Sequence, residues 1–262
     1  MNDPLIQRFQ AARRDSGLVV LEGFHALKHA LRFGAEVIEA VAVDVGALKE
    51  LAGELAPDLA GELAPDLAGG LGERLRPIDA ELLAELAPRA PRTGVIAIAR
   101  RPRVDVAAVL AEGRPAPVVL LEEPRNMGNM GACVRVAAAA DAAAVLTIGR
   151  NDPWHPDAVR GAAGLHFALP VAAVEEPPAA IEGPPRSDRP LIALDPDGDP
   201  LRPDELPPRA VLAFGAERHG LSPQLLSRAD ARLRIPMKPG VSSLNLATSV
   251  AAVLFAARLA DG

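Results

Sequence analysis

Three short segments of this chain combine glycine turns with side chains that handle hydroxyls and anions. Asn129-Met-Gly-Ala-Cys-Val-Arg135 follows Gly128, so two glycines bracket a turn into a helix. Backbone can approach a ligand closely there, and helix N–H groups can bind an anion. In Phe214-Gly-Ala-Glu-Arg-His-Gly-Leu-Ser222 an apolar strand ends at Gly215. Glu217 therefore emerges at the carboxyl edge of a sheet, where open α/β folds place ligands. The third segment, Ile235-Pro-Met-Lys-Pro-Gly-Val-Ser-Ser-Leu-Asn-Leu-Ala-Thr-Ser249, joins a short strand, a Pro/Gly turn and a helix start at Ser243-Leu244-Asn245. Such a sequence builds a backbone cradle for a small ligand. Each segment also has an ordinary reading taken singly: a surface arginine on a helix, a loop carboxylate, a helix cap.

Other chemistries fit less well. The Gly-Asn-Met-Gly turn lacks the third glycine of a dinucleotide site, and no phosphate-binding Gly-x-x-x-x-Gly-Lys-Ser/Thr loop occurs. The single cysteine, Cys133, excludes an internal disulfide and a cysteine-rich zinc site. His25 and His29 are spaced as a helical metal pair, but no third ligand lies near them, so no metal is expected.

The elements that must position these segments follow from hydrophobic periodicity. Strands are expected at 18–22, 37–43 and 93–98, with a helix over 23–33 and a short helix entering a turn within 76–91. A connection through 100–117, with a helix near 106–111, leads to a second domain. There, strands at 118–121, 144–148 and 168–171 alternate with helices at 129–140 and 156–163. Strands at 191–194, 211–215 and 232–236, a helix capped by Ser222 and a final helix over 243–260 complete it. This alternation predicts an α/β fold with a parallel sheet covered on both faces. The domains are expected to divide as 1–103 and 104–262. The eight-residue unit LAGELAPD occurs twice over 51–66, a period too short for a solenoid repeat, and reads as a surface expansion without chemistry.

With 262 residues, 49% of them apolar, the chain can bury two modest cores. No apolar stretch is long enough for a membrane span, and MNDPLIQRFQ lacks the apolar core of a signal peptide, so a cytoplasmic protein is expected. The net charge of −6 is unevenly spread. Residues 1–33 carry Arg8, Arg13, Arg14, Lys28 and Arg32 against Asp3, Asp15 and Glu22, and Arg100, Arg101 and Arg103 follow later. A locally basic face of this kind is compatible with RNA, and with plain solvated surface.

In order and spacing, the three segments together resemble the three motifs of the SpoU/TrmH family of RNA ribose 2′-O-methyltransferases. The resemblance extends to residues 7–31, similar to the family's N-terminal L30e-like substrate-binding domain, and to 157–171. Pro239 stands where most members have glycine, Ala216 where asparagine is frequent, and Thr93 where glutamine is common. The resemblance implies a C-terminal trefoil-knotted, Rossmann-like parallel sheet domain and a smaller L30e-like α/β domain before it. It implies S-adenosylmethionine as cofactor, RNA as substrate and a homodimer, to which the small residues Ala247, Ser249, Ala251 and Ala252 of the last helix are suited.

Residue by residue, it places Leu194, Gly215, Ile235, Met237, Ser243 and Leu244 around the cofactor, and Arg135, Asn129, Glu217 and Asn245 at the reaction centre. Arg135 would stabilise the developing alkoxide and grip a phosphate, because an arginine stays protonated and makes a poor base. Glu217 would orient Arg135, within the chain or across a dimer interface. The basic residues Arg8, Arg13, Arg14, Lys28 and Arg32 would bind RNA. The L30e-like domain leans towards ribosomal RNA, and the Ser-Leu-Asn-Leu-Ala-Thr run is similar to some tRNA enzymes. A non-catalytic dimeric RNA-binding protein of the same fold and an RNA base methyltransferase are the alternative readings.

Overall fold

The computed structural model describes residues 3–54, 75–175, 189–241 and 243–260. Most of the duplicated 51–66 segment and of the Pro-rich loop 175–190 lies outside the described residues. The chain forms two compact units: Met1–Pro102 with Trp154–Ala168, and Arg103–Pro153 with Leu169–Gly262.

The first unit holds a four-stranded sheet in the order β1-β4-β2-β3, from β1 (Leu18–Glu22), β2 (Val37–Ala42), β3 (Leu75–Pro77) and β4 (Val95–Arg100). β4 runs antiparallel to both β1 and β2, and β3 pairs parallel to β2. Helices α1 (Pro4–Ala12), α2 (Phe24–Arg32), α3 (Val45–Glu54) and α4 (Ala80–Leu86) surround it. Asp3 and Asp79 cap α1 and α4 by accepting backbone N–H groups at 2.7 Å. Leu5, Phe9, Leu83 and Leu86 then close on Val20, Val41 and Ile96.

A later segment completes this unit. α7 (Pro156–Gly161) brings Arg160 to the buried Glu22, which Arg13 also reaches, both at 2.7 Å. Gly164, at φ +79, lies so close to α2 that any Cβ would collide with the Ala26 backbone. The carbonyl of Ala163 sits 2.7 Å from His29 Nδ1, and Trp154 packs against His166 at a tilt and against Phe167 edge to face.

The second unit is a six-stranded, wholly parallel sheet in the order β10-β8-β9-β5-β6-β7. Its strands are β5 (Val118–Glu122), β6 (Ala144–Ile148), β7 (Val171–Val174), β8 (Leu191–Pro200), β9 (Val211–Phe214) and β10 (Ala231–Arg234). Val118, Leu120, Leu146, Val211 and Ala213 face a core shared with Leu110 of α5 (Val106–Ala111) and Leu225 of α8 (Pro223–Arg228). The alternate residues Val119, Leu121, Val145 and Leu212 are equally buried on the opposite face. α6 (Met127–Ala139) buries Met130, Cys133, Val134 and Ala137, and packs along α9 (Leu246–Ala260). Both faces of the sheet are covered, which is why its central strands read as continuous apolar runs.

At the amino edge of this sheet the buried Arg189 donates to the carbonyls of Ala116 at 2.7 Å, Leu110 at 2.9 Å and Glu112 at 3.0 Å. One guanidinium thus holds the end of α5 and the lead into β5. Several elements depart from expectation: α1, α3 and β3 were not anticipated, β7 begins at Val171, where the expected 168–171 strand would end, and β8 and α9 differ in extent. β8 runs six residues past Leu194, because Gly198 lets it lie against the Arg232 backbone after an irregular Asp195–Asp197 step. α9 starts at Leu246, three residues later than expected, because Asn245 Oδ1 accepts from Ala247 N at 2.9 Å and acts as the cap. Among the described residues, no helix is long and apolar enough to cross a membrane.

Candidate functional site

Three strands, β8, β9 and β10, end at one edge of the second unit's sheet, and the chain beyond them encloses a cavity of about 370 Å³. Leu194, Gly215, Ile235, Met237, Ser243 and Leu244 all line it, together with Phe214, Leu246 and Ser249. The sequence-predicted cofactor residues are therefore gathered in one place. Gly215 is there for a steric reason: a Cβ would strike the backbone of Gly220 and Leu221. The loop between them closes through paired Ala216 and Gly220 backbone bonds of 3.0 and 3.1 Å, which lifts Glu217, Arg218 and His219 to its tip.

Beside the cavity three polar side chains form a directional relay. Glu217 Oε1 accepts from Asn129 Nδ2 at 3.0 Å, and Asn129 Oδ1 accepts from Asn245 Nδ2 at 3.1 Å. Asn245 Oδ1 in turn caps α9. An ionised carboxylate can only accept, so its charge fixes how the Asn129 amide points, and Asn129 fixes Asn245. The relay joins the 215–220 loop, the first turn of α6 and the start of α9. Burial pushes the Glu217 carboxyl up. Hydrogen bonds from Asn129 and from backbone N–H groups at Glu217, Arg125 and Asn126 outweigh it, so Glu217 is held below the usual carboxylate value.

Arg135 is exposed on α6, and among the described residues no hydrogen bond or ion pair engages it. It lies six residues beyond Asn129, about 9 Å along the axis and on another face of the helix. Within the chain, Glu217 holds Asn129 and not Arg135. Cys133 points into the core, where burial and the nearby Glu217 push its thiol up to about 12, so it offers no nucleophile. No group of three or more metal-ligating side chains occurs among the described residues.

The five basic residues of the N-terminal stretch have varied settings. Arg8 is paired with Glu39 at 2.8 Å, Arg13 lies between the Glu22 carboxylate and the Leu86 carbonyl, and Lys28 is buried. Arg32 is half-buried and Arg14 is exposed. Asp195, Arg218 and Arg234, which the motifs did not single out, also line the cavity. Asp195 directly follows Leu194, and its place just past the expected 191–194 strand was the available signal.

Residues 116–255 match the SpoU rRNA Methylase family. An uncharacterized tRNA/rRNA methyltransferase of Mycobacterium bovis is 35% identical over 169 residues, 62% of this chain and 58% of the relative, so the match spans under two thirds of that protein. The 23S rRNA (adenosine(1067)-2′-O)-methyltransferase of Streptomyces laurentii is 28% identical over 97% of this chain and 92% of its own length. The crystal structure of the SpoU methyltransferase AviRb from Streptomyces viridochromogenes in complex with AdoMet has the same fold, with a TM-score of 0.76 at 24% identity, covering 98% of this chain and 97% of that one.

Proposed function

We propose that this chain, which belongs to the SpoU rRNA Methylase family, transfers the methyl group of S-adenosylmethionine (SAM) to a ribose 2′-hydroxyl of structured RNA, with ribosomal RNA favoured over tRNA. One observation carries the reading: the cavity lined by Leu194, Gly215, Ile235, Met237, Ser243 and Leu244 opens beside the linked Glu217, Asn129 and Asn245. Its volume lies in the range of small-molecule sites. Its donor set also suits SAM, with apolar walls for a flat ring and hydroxyls and backbone groups for the polar parts. Bound there, SAM would supply a methyl group made electrophilic by its sulfonium. The preference for ribosomal RNA is supported by the family and by the Streptomyces laurentii relative.

The chain's own residues then have distinct tasks. Leu194, Ile235, Met237 and Leu244 hold the adenosine and exclude water, while Ser243 and the Gly215 backbone orient it. Asn129 and Asn245 set the loops against the ribose. Arg135 stabilises the alkoxide as it develops and grips a neighbouring phosphate, a role its permanent charge suits. Glu217 orients Arg135 where a second copy brings the two together, in the homodimer that belongs to this reading. The trefoil knot, an L30e-like first domain and a cytoplasmic setting belong to it as well.

Calorimetry with SAM in the presence of a chelator tests the proposal. About one site per chain is expected, and no binding at millimolar ligand would defeat it. Mapping of 2′-O-methyls in RNA from cells with and without the gene would then identify the substrate.

A further inference from the structure

A polyanion needs cations that the fold has not already used. In the first unit most arginines have internal partners: Arg8 and Arg76 on Glu39, Arg13 and Arg160 on Glu22, Arg100 on Glu36. The second unit differs between its two edges. At the amino edge Arg114 pairs with Asp141 and Arg189 holds backbone carbonyls. At the carboxyl edge, three loops leave three adjacent strands, β9, β5 and β6, and each presents one exposed arginine: Arg218, Arg125 and Arg150. Among the described residues no hydrogen bond or ion pair engages these three guanidinium groups.

Each loop also carries one exposed carboxylate, but among the described residues none of the three forms an ion pair with these arginines. Glu217 is held by Asn129, and the Glu123 carboxyl lies against Gly149, where a Cβ would come within 2.9 Å of it. Asp152 likewise has a partner. The loops are also tied to one another. Glu123 N donates to Ile148 O at 2.8 Å, Asn151 Nδ2 to Pro124 O at 2.9 Å, and Arg125 N reaches Glu217 Oε2 at 3.5 Å. Glu123 is held at φ +48, a conformation that a non-glycine residue keeps only when its surroundings enforce it. Neighbouring strands lie about 4.8 Å apart, so the ends of β9 and β6, on either side of β5, from which these loops leave, are about 10 Å apart. Arg218 sits at the cavity and Arg150 furthest from it in strand order.

We infer that Arg218, Arg125 and Arg150 form a phosphate track that leads an RNA strand to the cavity, and that this row, and not Arg8, Arg13, Arg14 and Arg32, supplies most of the electrostatic affinity. The inference rests on the methyltransferase reading for the identity of the polyanion. Binding of a fluorescein-labelled, short, mixed-sequence RNA strand is measured by anisotropy from about 50 to 200 mM salt. Substituting all three with glutamine should flatten the slope of log affinity against log salt by about two units, and weaken binding at least tenfold at the low-salt end. R150Q alone should flatten it by about 0.7. The triple lysine variant should restore the slope, since the effect is one of charge, and R8Q/R14Q should leave it unchanged.

Retention of the full slope by the triple glutamine variant, or its loss in R8Q/R14Q, overturns the inference. Equal weakening by lysine and glutamine also overturns it, because shape and not charge would then be responsible. SAM calorimetry on the unmodified chain stands apart: its failure counts against the methyltransferase reading, whereas the salt slopes concern only this surface.

Discussion

Asn129 is the middle link between Glu217 and Asn245, so Asn129→Ala removes a donor from a carboxylate and an acceptor from an amide at once. A hydrogen bond to a charged group contributes about 1.5–3 kcal/mol and a neutral one about 0.5–1.5 kcal/mol. The relay is partly open to solvent, so the lower ends apply, and the combined loss is about 2 kcal/mol. That energy holds the 215–220 loop and the start of α9 as walls of the cavity. It should therefore appear as a fall of roughly 10- to 30-fold in affinity for SAM or its demethylated product, with little change in global melting.

The pH dependence has a definite sign. Glu217 is held below the usual carboxylate value, so the contribution of its ionised form is complete above that range and is lost as pH falls through the lowered value. Without the Asn129 hydrogen bond the loss should begin at higher pH. Asn129→Asp should bind worse than Asn129→Ala at neutral pH, because two carboxylates would then face each other, and it should recover on acidification. Calorimetry across the acid range reads all three. If Asn129→Ala bound within twofold of the unmodified chain at every pH, the relay would not shape the cavity.

Arg189→Met should cost about 3–5 kcal/mol in urea unfolding, because the carbonyls of Ala116, Leu110 and Glu112 lose their buried donor; a loss below about 1 kcal/mol would show that they find other partners. Glu22→Gln should destabilise by about 3 kcal/mol, leaving Arg13 and Arg160 partly buried without a counter-charge, and a melting temperature equal to that of the unmodified chain would refute it. Light scattering on the full chain should return twice the chain mass if α9, with Phe255 and Leu259 exposed, meets a second copy; a single-chain mass would remove the proposed route by which Glu217 reaches Arg135.

The parallel sheet was legible because its strands are buried on both faces and read as uninterrupted apolar runs, as in Val118–Leu121 and Val211–Phe214. The residues gathered at the cavity were legible through the resemblance of the three segments to the SpoU/TrmH motifs, whereas glycine turns and strand ends alone marked only where a ligand could sit. Other features depend on contacts distant in sequence. β3 has three residues, too few for any period, and exists through its pairing with Ala40–Ala42. β8 continues to Pro200 because Gly198 meets a strand more than thirty residues later. The roles of Arg13 and Lys28 were hidden for the same reason: a basic residue looks alike in sequence whether it faces solvent or, as Arg13 does, a buried carboxylate. That Glu217 grips Asn129, 88 residues away, follows only from the folded loop.

The packing of Trp154–Ala168 with the first unit has a consequence for how the chain is made. The polypeptide passes between the two units three times, after Pro102, Pro153 and Ala168. During synthesis the first unit therefore cannot close when Pro102 emerges; Arg160 and Gly164 are still to come. At about 5–20 residues per second, the roughly 65 residues up to Ala168 take about 3–13 s to appear. Through that interval Glu22 has only Arg13 as its counter-ion, and the surface of α2 around Ala26 is uncovered. By the time the segment docks, β5, α6 and β6 have already been synthesised, so the first unit becomes complete only after part of the second has been made.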